Sequence, residues 1–362
     1  MKFIDEYRDP GLSRQLLDAI QERARRIRET VTIMEVCGSH TMAIGRFGIR
    51  TLLPENIRLI SGPGCPVCVT AINDVDTALW LASQGNVIFT TFGDMLKVPG
   101  TGGNTLQRVR SLGAHVEIVS SVLEAVHIAR QHPEADVIFM AIGFETTSPT
   151  IASAVRSCSR NGPGNFSILS VHKLIPPAIR VLIEDPALKI TGFLCPGHVS
   201  TIIGSDAYSL IPEHSCAAVI AGFEPVDILE GILMILDQTI SRRFQVQNQY
   251  ARAVNDQGNR RARALLDEVF TPVNSAWRGL GEILASGLSL KREYAAFDVM
   301  GKFQPPVLSS REPPGCRCGD VLKGLISPEQ CGLFGRTCTP ATPVGPCMVS
   351  SEGTCAAHYT YH

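Results

Sequence analysis

Short apolar runs alternate with amphipathic segments along the first two-thirds of the chain. The runs are rich in Val, Ile and Phe and end at Gly, Ser, Pro or Cys, as buried strands do. They cover residues 31–36, 57–61, 86–92, 115–119, 136–142, 165–171, 189–194 and 216–223. Between them, segments such as 74–85 and 121–133 carry apolar residues at helical spacing. This alternation predicts an α/β fold with parallel sheets.

The number of predicted strands exceeds one compact sheet of ordinary size. We therefore expect two similar Rossmann-like parallel-sheet domains, at residues 1–117 and 118–228. An internal repeat supports this division, because residues 138–149 and 218–227 both place an apolar run before Gly-Phe-Glu.

The last third of the chain has a different pattern. Apolar positions that recur every three or four residues predict a long helix over 227–259, a second over 260–270 and a third near 276–287. After Phe303 the chain is rich in proline and cysteine. We therefore expect a third domain at 229–362, with a helical part and a cysteine-rich iron–sulfur part.

Composition narrows the function classes. The 33 Lys and Arg residues nearly balance the 34 Asp and Glu residues, whereas nucleic-acid binding is driven by basic surplus. The longest apolar stretch, near 137–142, is far shorter than the roughly 18 residues of a membrane helix. The N-terminal residues lack the apolar core of a signal peptide. We expect a cytoplasmic protein with no nucleic-acid partner and no membrane insertion.

Cysteine content changes this picture, because six of the twelve cysteines lie between Cys316 and Cys355. Small secreted proteins use such a density for disulfides, whereas a long chain without a leader more often uses it for metal or redox chemistry. Three cysteines without spacing partners, Cys158, Cys195 and Cys216, are expected to pack in the core.

The first candidate site follows the run 31–36, since α/β folds bind ligands at the ends of strands. Cys37 stands there beside Gly38, with His40 three residues on. A histidine or a helix N-terminus would lower the pKa of this thiol and favour the thiolate, which attacks substrates and binds metals. The alternative is a buried structural cysteine.

The next strand leads into Cys65-Pro66-Val67-Cys68, preceded by Gly62-Pro63-Gly64. This spacing suits a redox dithiol or half of a zinc site. We favour the dithiol, because no second pair follows at zinc-ribbon distance. Cys37 ends the adjacent predicted strand, so the three thiols would lie in one cleft.

Further polar residues follow other predicted strands and indicate a polar cleft between the two α/β domains, although each would serve equally well as a helix cap. These are Asp94, Glu145 and His198. The glycine-rich segment 99–104 fits neither the P-loop nor the dinucleotide-binding pattern, so we do not expect nucleotide binding.

The tail contains Cys316, Cys318, Cys331, Cys338, Cys347 and Cys355. Four of them form the pattern C-x14-C-x6-C-x16-C, which leaves Cys318 and Cys347 over. Four thiolates in a proline-rich loop can hold an iron–sulfur cluster. Structural zinc is the main alternative, although zinc sites usually offer closer pairs, and disulfides are the third. The chemistry favours a [4Fe–4S] cluster.

Taken in order, these motifs resemble the HypD family of [NiFe]-hydrogenase maturation proteins over nearly the whole chain. The motifs that carry the resemblance are CGSHT (37–41), GPGCPVC (62–68), TFGDM (91–95), GFETT (143–147), PGHVS (196–200) and CMVSSEGTC (347–355). The resemblance implies a scaffold on which the Fe(CN)2CO group is assembled together with a HypC-type chaperone, with cyanide supplied by a HypE-type donor. It thus implies an assembly scaffold with redox activity rather than a conventional turnover enzyme.

The resemblance also implies roles for individual residues. Cys37 would hold the iron with His40 beside it, and Cys65 and Cys68 would be a redox pair. The cluster ligands would be Cys316, Cys331, Cys338 and Cys355. Two other classes stay open: a thiol–disulfide oxidoreductase, which would need only the dithiol, and an electron-transfer protein, which would need only the tail cysteines.

Overall fold

The structure is a computed structural model that describes residues 4–361. Its strands are β1 Val31–Glu35, β2 Ile57–Ser61, β3 Val87–Thr91, β4 His115–Ile118, β5 Asp136–Ala141, β6 Phe166–Ser170, β7 Gly192–Pro196, β8 Ala217–Ala221, β9 Val246–Asn248, β10 Phe270–Trp277 and β11 Gly281–Leu290. All eight strands predicted from apolar runs are present, with ends that differ by up to three residues.

The α-helices lie mostly between these strands. They are α1 Pro10–Arg25, α2 Gly38–Arg46, α3 Ile49–Leu52, α4 Pro66–Val69, α5 Ile72–Ala82, α6 Leu106–Ser111, α7 Val122–Gln131, α8 Ser148–Asn161, α9 Ile175–Glu184, α10 Gly197–Ile203, α11 Leu210–Glu213, α12 Pro225–Ser241, α13 Arg260–Val269, α14 Val299–Phe303, α15 Cys318–Leu322 and α16 Thr354–Tyr361. The predicted helices at 74–85 and 121–133 correspond to α5 and α7.

Two parallel sheets form the α/β part of the molecule, as the alternating pattern predicts. The first sheet has the strand order β2-β1-β7-β8-β9, and the second has the order β4-β3-β5-β6. Strands β10 and β11 form a separate antiparallel hairpin. One copy of the Gly-Phe-Glu repeat follows β5 in the second sheet, and the other follows β8 in the first.

The division between the sheets does not follow the expected boundary at residues 117 and 118. Strands β3 and β4 pair with β5 and β6, whereas β7 and β8 return to pair with β1 and β2. The chain leaves the first sheet after β2, builds the whole second sheet and then returns. Local sequence patterns cannot reveal such a crossing, because it depends on which distant strands pair.

The structure differs from two of the helices expected after Asp227. Helix α12 ends at Ser241, because Arg242 adopts a left-handed conformation (φ 51°) and β9 then pairs with β8. The segment near 276–287 is not helical, since it forms the end of β10, the turn and much of β11. The helix expected over 260–270 is present as α13.

The cysteine-rich tail packs against the α/β part of the molecule. Leu322 and Met348 belong to the same buried cluster as Met34 of β1 and Phe89 of β3. Helix α16 packs on α2, where the side chain of Tyr361 lies against Gly45. The tail is thereby fixed beside the carboxyl end of the first sheet.

Candidate functional site at the end of the first sheet

Cys37 lies between β1 and α2, at the N-cap of the helix. Its side chain is buried, and burial together with the charge of Glu352 raises the pKa of the thiol to about 12. The backbone amides of Ser39 and His40 act in the opposite direction, as expected at a helix N-terminus. The group is therefore a neutral thiol near pH 7 until a metal or another electrophile displaces the proton.

The buried carboxyl group of Glu35 lies next to Cys37. The amide of Cys37 donates to Glu35 Oε2 (3.4 Å), and the Thr41 hydroxyl donates to Glu35 Oε1 (2.6 Å). The Arg50 guanidinium lies 3.9 Å from the same carboxyl group. Burial raises the pKa of Glu35 to about 7 despite these contacts. The contacts fix the backbone that leads from β1 into Cys37.

His40 faces the neighbouring strand. Its Nε2 donates to the carbonyl oxygen of Gly222 (2.8 Å), just beyond β8, and this partner defines the tautomer. Burial lowers the pKa of His40 to about 4, so the ring is neutral at pH 7 and supplies no positive charge to Cys37. Its Nδ1 is buried without a partner among residues 4–361.

The Cys65–Cys68 loop contacts the Cys37 loop directly. The amide of Gly38 donates to the carbonyl oxygen of Gly64 (2.9 Å), and a side chain at Gly64 would overlap the backbone of Cys37. Cys65 and Cys68 form a disulfide. The Cys65 sulfur also accepts from the amide of Cys68 (3.2 Å) and caps α4. The two loops therefore form one site.

Glu352 reaches this site from the tail. The hydroxyl of Ser39 donates to Glu352 Oε1 (2.8 Å), and a side chain at Gly38 would lie 2.5 Å from the Cβ of Glu352. Sequence reasoning missed Glu352, although it lies in the segment 347–355, because the cysteines dominate the pattern there. The available signal was an acidic residue beside Gly353 and three residues before Cys355.

The other residues expected in a polar cleft are divided between the sheets. His198 stacks on Phe223 (4.0 Å between ring centroids) at the edge of the first sheet, near Glu352. Burial lowers the pKa of His198, and the charge of Glu352 opposes this effect. Glu145 and Asp94 belong to the second sheet: Glu145 Oε1 accepts from the amide of Ile175 (3.0 Å) at the start of α9, and Asp94 is exposed.

Five tail thiols form a second cluster of sulfur atoms. Side-chain contacts join Cys316 to Cys318, Cys318 to Cys347, and both Cys318 and Cys347 to Cys355. Cys338 is close enough for Cys316 and Cys318 to raise its pKa, although burial has the larger effect. Contacts from Cys318 and Cys347 lower the pKa of Cys355 and thereby favour its thiolate.

Cys331 is the exception among the residues that the family pattern selects. It is half-buried in the loop before Phe334, and none of the thiol contacts described for residues 4–361 involves it. The structure thus gathers three of the four selected cysteines, Cys316, Cys338 and Cys355, together with the two that the pattern leaves over.

The donor chemistry of this group fits an iron–sulfur cluster. Sulfur is the donor atom in such clusters, and all five gathered side chains are cysteines. Within the described chain, no group of three or more His, Cys, Asp or Glu side chains is already arranged around a single metal position. The residues present are therefore compatible with a cluster without forming a finished coordination shell.

The disulfide lies between the two sulfur sites. The Cys68 sulfur is 3.9 Å from the carbonyl oxygen of Pro346, the residue before Cys347. Helix α4 packs against the short 3-10 helix Pro346–Met348. The order of groups in space is therefore Cys37, the disulfide and the tail thiols. Cys158, Cys195 and Cys216 are buried outside this arrangement, as expected for packing cysteines.

Within residues 4–361, no helix has the length and apolar character needed to cross a membrane.

Comparison with known proteins places the chain among hydrogenase maturation proteins. The HypD model, described as the hydrogenase formation hypA family, matches residues 11–362. The hydrogenase maturation factor HypD of Rhizobium leguminosarum bv. viciae is 44% identical over 369 residues, covering 100% of this chain and 96% of the relative. HypD of Escherichia coli (strain K12) is 45% identical, with 100% and 98% covered. HypD of Azotobacter vinelandii is 45% identical, with 100% and 97% covered.

Proposed function

Because the chain belongs to the HypD family of hydrogenase maturation factors, we propose that it is the scaffold on which the Fe(CN)2CO group of [NiFe]-hydrogenase is assembled. The observation that carries the proposal is the contact of the Cys37 loop with the Cys65–Cys68 loop and with Glu352. One thiol for iron, one disulfide for redox chemistry and one carboxylate thereby meet at a single strand end.

Cys37 holds the substrate iron in this proposal. Low-spin iron that carries cyanide and CO favours soft thiolate donors, and iron binding displaces the thiol proton. Glu352 accepts a hydrogen bond from Ser39 next to Cys37, and its charge acts on the Cys37 thiol, so this carboxylate is placed to accept that proton. A HypC-type chaperone contributes a second thiolate, and a HypE-type protein delivers cyanide. Crosslinking of the HypC-type partner beside Cys37, rather than only to the cluster domain, is the expected result.

Cys65 and Cys68 supply the redox step. Reduction of their disulfide consumes two electrons and two protons and gives two thiols; reoxidation returns two electrons to the iron or its ligands. A [4Fe–4S] cluster held by the tail cysteines would supply these electrons one at a time, after receiving them from an external one-electron donor. We assign its ligands to Cys316, Cys331, Cys338 and Cys355, with Cys347 and Cys318 as the rival donors because they lie within the sulfur group. The closeness of Cys68 to the 346–348 segment supports this route.

Two other functions remain as alternatives. A general thiol–disulfide oxidoreductase would use Cys65 and Cys68, but both are almost completely buried (3% and 0% exposed), which excludes a protein disulfide from direct attack. A pure iron–sulfur electron-transfer protein would need no second iron. Each alternative leaves Cys37 without a role.

Infrared spectroscopy tests the proposed function. The protein is purified anaerobically together with its HypC-type partner and compared with Cys37→Ala, using Cys158→Ala as a control that removes a buried cysteine elsewhere. Bands of iron-bound cyanide and CO are expected in the unchanged protein and in the control, and are lost in Cys37→Ala. Their absence from the unchanged protein would contradict the scaffold.

A further inference from the structure

Arg278 is a buried cation beside the tail thiols that the proposed function does not use. It occupies the turn between β10 and β11, and its side chain is 2% exposed. Its amide donates to the carbonyl oxygen of Val69 (2.9 Å), the last residue of α4. The turn therefore lies between the disulfide helix and the cysteine-rich tail.

The guanidinium group is only partly satisfied. Nε donates to Glu312 Oε2 (2.9 Å), and Nη2 donates to the carbonyl oxygen of Pro99 (3.3 Å) and lies 2.8 Å from Glu312 Oε2 in an ion pair. Nη1 is buried and has no partner in the part of the chain that the structure describes. A buried donor without an acceptor is costly, which indicates that an acceptor belongs at this position.

The turn packs against the 316–319 segment, which contains Cys316 and Cys318. Gly279 packs directly on the backbone of Gly319, the residue after Cys318, so that a side chain at Gly279 would overlap it. Across that segment, a side chain at Gly345 would lie 2.6 Å from the Cys316 sulfur. The charge of Arg278 acts to lower the pKa of Cys316, against the stronger raising effects of Cys318 and burial.

We propose that Nη1 of Arg278 faces the Cys316 thiolate and that this buried positive charge raises the reduction potential of the iron–sulfur cluster held by the tail. The proposal rests on the cluster assignment in the proposed function. A cation favours the more negative, reduced form of a cluster, and hydrogen bonds to its sulfurs act in the same direction. Arg278 is thus a positioning and tuning residue, not a ligand.

The experiment is an EPR-monitored redox titration of the full chain with its cluster reconstituted anaerobically, and iron content is measured in parallel. In Arg278→Met the equilibrium constant for one-electron reduction is expected to fall about tenfold, equivalent to about 59 mV. The matched control is Arg317→Met. Arg317 stands next to Cys316 but is 48% exposed and paired with Asp320, so solvent screens its charge and its loss is expected to change the constant less than twofold.

A second variant gives a shift of opposite sign. Glu312 is half-exposed and supplies the negative charge that partly cancels Arg278, so Glu312→Gln is expected to raise the potential. This variant decides the question if Arg278→Met does not retain a cluster. An unchanged potential in Arg278→Met with full iron content, or in Glu312→Gln, would overturn the inference. If the unchanged protein binds no cluster, the cluster assignment fails instead.

Discussion

The carboxyl ends of the two sheets carry the same short motif and serve different purposes. Gly-Phe-Glu follows β8 in the first sheet and β5 in the second. At the first sheet, the disulfide loop and the tail meet Cys37. At the second, the β10–β11 hairpin covers the strand ends: the amide of Leu174 donates to the carbonyl oxygen of Ser286 (2.8 Å). The segment that packs over the strand ends thus determines whether reactive groups are gathered there.

The carboxyl end of the second sheet, called here the second edge, is polar, but its charged groups are paired with neighbouring groups of the protein. The first edge is the carboxyl end of the first sheet. Lys173 is 1% exposed, and its Nζ donates to Ser275 Oγ (2.7 Å) and to Asp74 Oδ2 (3.2 Å). Glu145 accepts from the start of α9. The first edge instead has a disulfide, a thiol and the carboxylate of Glu352 in one place. We therefore expect substitutions at the first edge to affect iron assembly, and substitutions at the second to affect stability.

The largest effect is expected for the double variant Cys65→Ala/Cys68→Ala. Without the disulfide, electrons have no carrier between the tail and Cys37, so assembly of the cyanide-bearing iron should slow by more than tenfold in an anaerobic rate assay. Cys158→Ala/Cys216→Ala is the matched control, because it removes two cysteines buried elsewhere. Assembly at the normal rate in the first double variant would reject the disulfide as an electron carrier.

Asp74→Ala tests the second edge. Among residues 4–361 it leaves the buried Lys173 ammonium with Ser275 as its remaining hydrogen-bond partner, and breaking a buried ion pair in this way costs about 3 kcal/mol. Urea unfolding should show this loss, whereas the folded fraction should still bind iron. An Asp74→Ala protein that kept full stability but lost iron binding would contradict the division of roles between the two edges.

Glu145→Gln gives a pH-dependent effect. Burial raises the pKa of Glu145 from 4.5 to about 7, so the folded protein retains a proton that the unfolded chain releases. The free energy of unfolding therefore falls as the pH rises from 4.5 to 7, by at most about 3 kcal/mol. Glutamine cannot ionise, so the variant should flatten this dependence in unfolding experiments across that range. Glu35→Gln should do the same at the first edge, since burial also raises the pKa of Glu35 to about 7. If the pH dependence of the unfolding free energy were unchanged in both variants, the burial of these two carboxyl groups would be contradicted.

The smallest effect is expected for Gly64→Ala. The added methyl group would overlap the backbone of Cys37, and relief of such overpacking costs about 1–3 kcal/mol. The disulfide loop should move away from Cys37, which would lower thermal stability and slow iron assembly together. Gly164→Ala is the control, because nothing lies within 4 Å of the added group. Equal effects of the two substitutions would show that the loops do not depend on close contact.

Local pattern accounts for much of the fold and for part of the site. The apolar runs identify the strands of both sheets, and Cys37 and the Cys65–Cys68 pair follow β1 and β2, which are neighbours in space and in sequence. The pairing of β1 with β7 was not predictable, because 150 or more residues separate the two strands and no local pattern links them. The same reason hides Glu352 and Arg278, whose positions depend on the tail and the hairpin returning to distant loops. His40 shows why a motif does not fix a residue's role. Its position near Cys37 in the sequence suggests a base for the thiol, but in the structure the ring donates to the carbonyl oxygen of Gly222.

The most direct test of the central claim compares the infrared spectra of three anaerobically purified proteins in complex with the HypC-type partner: the unchanged chain, Cys37→Ala and Asp74→Ala. The account predicts cyanide and CO bands in the unchanged chain and in the folded fraction of Asp74→Ala, and none in Cys37→Ala. Bands that persist in Cys37→Ala at full intensity would contradict the assignment of iron to the first edge.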